Sequence, residues 1–126
     1  MKLKNWMSAK AVICVVLGFG FILLPDTLLS FYAISAGPGG IFMTRLVGQA
    51  FLVIGLLLWL ARNTTESTTQ RAIALAVFVG DAAGFIIALM AMLSGTANVL
   101  GWSTVALYLV FALGFGYFLI PVKAKR

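Results

Sequence analysis

The stretch RAIALAVFVGDAAGFIIALMAML, Arg71 to Leu93, decides the fold, because it is a long apolar run with one acid, Asp81, near its middle. A hydrocarbon core about 30 Å thick takes roughly 20 apolar residues of helix to cross, and this run is long enough. An acid at the centre of such a run is costly and needs a reason. Within the same run Ala72, Ala76, Gly80, Gly84 and Ala88 recur every four residues. On a helix this spacing predicts a ridge of small side chains against which another helix packs closely.

Outward from this run, three more apolar segments of similar length are found, at about 7–24, 41–61 and 99–120. Hydrophobic residues make up 63% of the 126-residue chain and charged residues only 10%, so four spans leave almost nothing for a soluble domain. The expected fold is all-α: one domain, residues 1–126, forming an integral membrane four-helix bundle with antiparallel up-down topology and helices at about 7–24, 41–61, 71–93 and 99–120.

The connections can be read from their breakers. Pro25 disfavours helix at Leu24, and PDTLLSFYAI after it reads as an interfacial segment with Phe31 and Tyr32 at headgroup level. Gly37-Pro38-Gly39-Gly40 is the clearest turn signal. Ser67-x-x-Gln70 has capping-box spacing, Gly95 reads as a helix stop, and Asn98 reads as the N-cap of the last span. LGFGFILLP at Leu17 to Pro25 resembles LGFGYFLIP at Leu113 to Pro121. An inverted duplication is conceivable, but the middle two spans have no matching repeat, which favours convergence on one packing need.

The net charge of +6 does not point to nucleic acid, because the cations flank apolar runs. Lys2, Lys4, Lys10, Arg62, Arg71, Lys123, Lys125 and Arg126 all fall on one side of a four-span chain, which places both termini in the cytoplasm of a multi-pass cell-membrane protein. Trp6, Trp59 and Tyr117 then mark the inner boundary, Tyr32 and Trp102 the outer one. This topology makes Asn63-Thr64-Thr65 a cytosolic sequence and not a glycosylation site. The N-terminal lysines, apolar run and Ala33-Ile34-Ser35-Ala36 resemble a signal peptide superficially, but the apolar run is long for one.

With no histidine and only Cys14, the common zinc, copper, haem and dithiol chemistries lack ligands, so neither cofactor nor metal is expected. Cys14 reads as a small buried apolar residue. Catalysis ranks third among functions, since Asp81, Tyr108 and Arg45 could serve as acid, base and electrostatic groups but no nucleophile is paired with a base.

Depth sorts the polar side chains. At 1.5 Å per residue, Asp81 lies about 15 Å in from Arg71, Tyr108 about 15 Å in from Asn98, Gln49 roughly 20 Å from Arg62 and Arg45 about 25 Å from it. Asp81, Gln49 and Tyr108 thus form a midplane set, with Arg45 further out, as a candidate ligand site or ion pathway. An Arg45–Asp81 ion pair is disfavoured by an offset of about 10 Å and by the opposite lean of the two side chains, so Gln49 or water would have to bridge them. Arg45 reads equally well as snorkelling to outer headgroups. Asp81 reads either as a neutral acid bonded to Tyr108 or Gln49 or as the wall of an outward-opening cavity.

LLPDTLLSFYAI, TRLVGQAFLVIGLLLWLAR and LSGTANVLGW together resemble small prokaryotic four-helix membrane proteins near the DoxX-like superfamily, through the proline after helix 1 and Arg45-x-x-Gly48. The resemblance covers most of the chain. DoxX-like relatives are linked to quinone-associated oxidoreductase subunits and to receptor-assembly chaperones, so it implies a fold more than a function, and it carries over no catalytic residues. Small multidrug exporters differ in having a glutamate in helix 1, and vitamin K reductase-like enzymes in having paired cysteines.

The leading functional expectation is a non-enzymatic protein whose partners are the bilayer and a hydrophobic small molecule, a lipid, a partner membrane protein or a second copy of itself. The alternative is a proton-coupled transporter or channel that titrates Asp81.

Overall fold

The computed structural model describes residues 2–120, and among these the chain is entirely helical with no strand. Five helices follow in order: α1 (Leu3–Leu23), α2 (Pro25–Phe31), α3 (Pro38–Ala61), α4 (Ser67–Leu93) and α5 (Gly101–Tyr117). By length and composition α1, α3 and α4 can each cross a membrane, while α5 is apolar but shorter. Of the eight cations used to orient the chain, Lys123, Lys125 and Arg126 lie outside the described residues, as does Pro121.

The helix ends follow from local chemistry. The interfacial segment after Pro25 is the short helix α2, with proline at its start, where a missing N–H costs nothing. The glycine-rich stretch at 37–40 is mostly helical, with Gly37 as N-cap and Pro38, Gly39 and Gly40 in the first turn of α3. Helix α4 ends in a Schellman motif, in which Gly95 (φ +76°) donates to Met92 O and Thr96 N to Ala91 O. The same motif closes α2 through Ala33 N to Ser30 O and Ile34 N to Leu29 O, with Ala33 at φ 58° where glycine is usual.

Asn98 is not the residue before the last helix, which begins at Gly101, but its Oδ1 accepts from Leu100 N at 3.0 Å in the turn that leads into it. Its amide donates to Phe31 O at 3.1 Å and its backbone N–H to Tyr32 O at 3.0 Å, so it fastens the α4–α5 connection to the end of α2. The opposite end of the molecule gathers Lys2 and Lys4, the 62–65 connection and Phe118 around one cavity.

Packing is closest between α1 and α3 and between α4 and α5, with α1 also against α5. Helices α1 and α3 meet backbone to backbone, since a Cβ on Gly18 would lie 2.8 Å from Gly48 O and one on Gly48 2.8 Å from Gly18 O. A turn pair lower down, Gly55 is against Ala11 O at 2.9 Å by the same measure. Without a side chain at these points the helix axes can approach closely enough to gain dispersion contacts along their length. The two LGFG segments serve this end with different partners: Gly114 receives the Trp6 ring and Gly116 the Phe78 ring, whereas Gly18 receives backbone and Gly20 Leu28.

One core joins these pairs. Met7 and Ala11 from α1, Leu58 from α3, Ala74 from α4 and Phe111 and Phe115 from α5 are all buried together. Trp6 stands edge-on to Phe111, with ring centroids 5.9 Å apart, and to Phe115 at 6.4 Å. Outside this core the long helices present a broad apolar surface, including Phe42, Leu46, Leu57 and Leu60 of α3 and Ile86, Ile87 and Met90 of α4.

Candidate functional site

The polar centre of the molecule is an ion pair in which Lys10 Nζ donates to Asp81 Oδ1 at 2.7 Å. Asp81 is the one buried charged residue among those described, 3% exposed, and the Lys10 side chain is 12% exposed. The pair ties α1 to α4 beside the aromatic core, and the ammonium lies 4.9 Å from the centre of the Phe111 ring. A lysine in this position satisfies the acid with charge and a hydrogen bond together, while the ring face offers the ammonium a second favourable electrostatic contact.

Local sequence explains why both groups point inward. The buried positions of α1 are Met7, Ala11, Cys14 and Gly18, a 4-3-4 stripe, and Lys10 follows Met7 by three residues and precedes Cys14 by four. It therefore flanks the buried stripe. On α4 the buried residues are Ala74 and Asp81, two turns apart on one face. Cys14 and Tyr108 both lie within electrostatic reach of Asp81. The second carboxylate oxygen, Oδ2, is buried and accepts no hydrogen bond from the described residues.

The partner of Asp81 is thus Lys10, which the sequence assigns to the cytoplasmic flank, and not Tyr108, Gln49 or Arg45. Helix α1 begins at Leu3, not near residue 7, so Lys10 lies about two turns into it. Arg45 and Gln49 are exposed on α3 and bond to none of the described residues, so the structure does not bring them to Asp81. Tyr108 is half-buried and makes no hydrogen bond to Asp81; its ring covers Gly84, where a Cβ would come within 2.5 Å of Cε1.

The small residues of α4 divide. Gly84 and Ala88 are half-buried, while Ala72, Ala76 and Gly80 are exposed and a Cβ on Gly80 would meet nothing within 4 Å. The cause is geometric, because a step of four residues overshoots a turn of 3.6 by about 40°, so the ridge winds from one side of the helix to the other along its length.

Two cavities lie apart from the ion pair. One, about 300 Å³, is an apolar cleft between α1 and α3 lined by Ala11, Val12, Val15, Val16, Leu56 and Trp59. The other, about 480 Å³, is at the end of the molecule that carries Lys2, Lys4 and Arg62. No group of three or more histidine, cysteine, aspartate or glutamate side chains among the described residues could hold a metal ion.

Comparison with family models, with curated proteins and with solved structures finds no match for this chain.

Proposed function

We propose that the chain is a non-enzymatic four-helix integral membrane protein, with α1, α3, α4 and α5 as its spans, both termini cytoplasmic, which holds a lipid or another hydrophobic molecule against its helices. The observation that carries this is the Lys10–Asp81 pair at 2.7 Å. It occupies the acid that a transport cycle would need, neutralises it inside the protein, and leaves the apolar side chains to face outward. Ionisable residues within bilayers face the bundle interior and pair with one another, as these two do. The apolar cleft beside Trp59 is of a size to take part of an acyl chain.

Membership among DoxX-like four-helix proteins is part of the same proposal. Its support is that the resembling residues have packing roles here: Pro25 starts α2, and Gly48 of Arg45-x-x-Gly48 is the point where α3 touches Gly18.

The alternative, a proton-coupled transporter or channel, is favoured by one feature, the unbonded Oδ2 of Asp81, which could take up a proton and release Lys10. Proteoliposomes containing a pH-sensitive dye separate the two. A binder leaves an imposed pH gradient to decay at the same rate with wild type, Asp81→Asn and empty vesicles. Accelerated decay with wild type that disappears in Asp81→Asn moves the assignment to the transporter.

A further inference from the structure

The 480 Å³ cavity at the cationic end has the chemistry of an anion site, with Lys2, Lys4 and Arg62 on its walls and no acid among its lining residues. Its volume falls within the roughly 300–1,000 Å³ of small-molecule sites. Its lining also includes the apolar Leu3, Met7 and Phe118 and the polar Asn63, Thr64 and Gln70.

The cations are available and one of them is held in place. Lys2 and Lys4 are exposed and form no ion pair with the described residues. The Arg62 guanidinium lies 3.9 Å from the centre of the Trp59 ring, and its Nη1 donates to Trp59 O, which fixes the plane and leaves its other N–H groups free of bonds to the described residues. The nearest acid in sequence, Glu66, accepts a hydrogen bond from Thr69 and does not line the cavity. Gln70 is held to the cavity rim by donating to Thr64 O at 2.9 Å.

From this arrangement we infer that the cavity binds a phosphate group, with Arg62 as the oriented fork and Lys2 and Lys4 as mobile counter-charges. Guanidinium matches phosphate in planar, bidentate fashion, while ammonium groups adapt around it as point charges. The inference rests on the membrane reading in one respect. At the cytoplasmic boundary the phosphate would belong to an anionic lipid, with Leu3 and Phe118 against its glycerol and upper acyl carbons, and basic pockets on that face are known lipid sites.

The test is native mass spectrometry of the purified full chain in mild detergent, titrated separately with dioleoylphosphatidylglycerol, dioleoylphosphatidylcholine and inorganic phosphate. Preferential retention of phosphatidylglycerol is expected, weakened about fivefold for each cation removed in Lys2→Gln, Lys4→Gln and Arg62→Gln. Arg71→Gln is the control, because Arg71 is an exposed cation of the same end that does not line the cavity. It should leave retention unchanged. Arg62→Lys keeps the charge but loses the fork, and should fall between wild type and Arg62→Gln.

Displacement of the lipid by inorganic phosphate, with the same dependence on Arg62, assigns the site to free phosphate and still upholds it. Equal retention of the two lipids, or an Arg71→Gln loss as large as that of Arg62→Gln, overturns the site, since diffuse surface charge then explains the binding. Failure of the membrane reading looks different: the chain is then released from membranes by alkaline carbonate and stays soluble without detergent.

Discussion

At the scale of single residues, Lys10 and Asp81 are worth little without each other. Removing one partner of a buried pair strands the other, at a cost of about 3–5 kcal/mol, whereas replacing both with apolar residues of similar volume is often close to neutral. Lys10→Met and Asp81→Leu should each lower the stability of the folded protein by about 3 kcal/mol, and the double variant should lose less than either. Reversible unfolding in mixed micelles measures the cycle; additive losses would mean that the 2.7 Å contact is not maintained. Ala33 is a second such test, since its left-handed backbone costs an L-residue about 1 kcal/mol that glycine avoids, so Ala33→Gly should stabilise by up to that amount. Asp81 was legible in the sequence as an acid that interrupts an apolar run. Its partner was not, because Lys10 sits at the boundary between a basic leader and an apolar run, where a positive charge has an ordinary explanation. The signal that finds it is the spacing of Lys10 to Met7 and Cys14, which places it beside the buried stripe of α1.

At the scale of helices, what decides packing is which glycines face a neighbour. Gly48→Ala puts a methyl group 2.8 Å from Gly18 O, and backbone cannot step aside as a flexible side chain can. It should cost at least about 1 kcal/mol, as overpacking at close contacts does. Gly80→Ala meets nothing and should stabilise α4 by up to about 1 kcal/mol through helix propensity. Should Gly80→Ala destabilise instead, and do so only at protein concentrations where the chain associates, the exposed half of the small-residue ridge is a contact between copies. Gly84→Leu should be the most damaging of the three, since the Tyr108 ring fills the space it would need. The long helices and their order follow from apolar length, which is why they are readable from sequence. Helix starts are less readable, since none of the five has a side-chain cap hydrogen bond to sharpen the apolar boundary. A four-residue repeat is not parallel to the helix axis, so within one chain only Gly84 and Ala88 of the ridge are half-buried.

At the scale of the molecule, one aromatic core near the cationic end holds α1, α3, α4 and α5 together, and Phe115 at its centre is fully buried. Phe115→Ala should cost about 3–5 kcal/mol, readable as a lower melting temperature in detergent, because the cavity left between four helices cannot close by moving one. Everything proposed for function depends on that core lying at the inner face of a membrane, with the connection at 62–66 in the cytoplasm and the connection at 94–100 outside. The direct measurement is cysteine accessibility in intact cells, using a membrane-impermeant maleimide on Thr65→Cys in a Cys14→Ala background. The account predicts no labelling of intact cells and full labelling once they are permeabilised; labelling of intact cells from outside would contradict it.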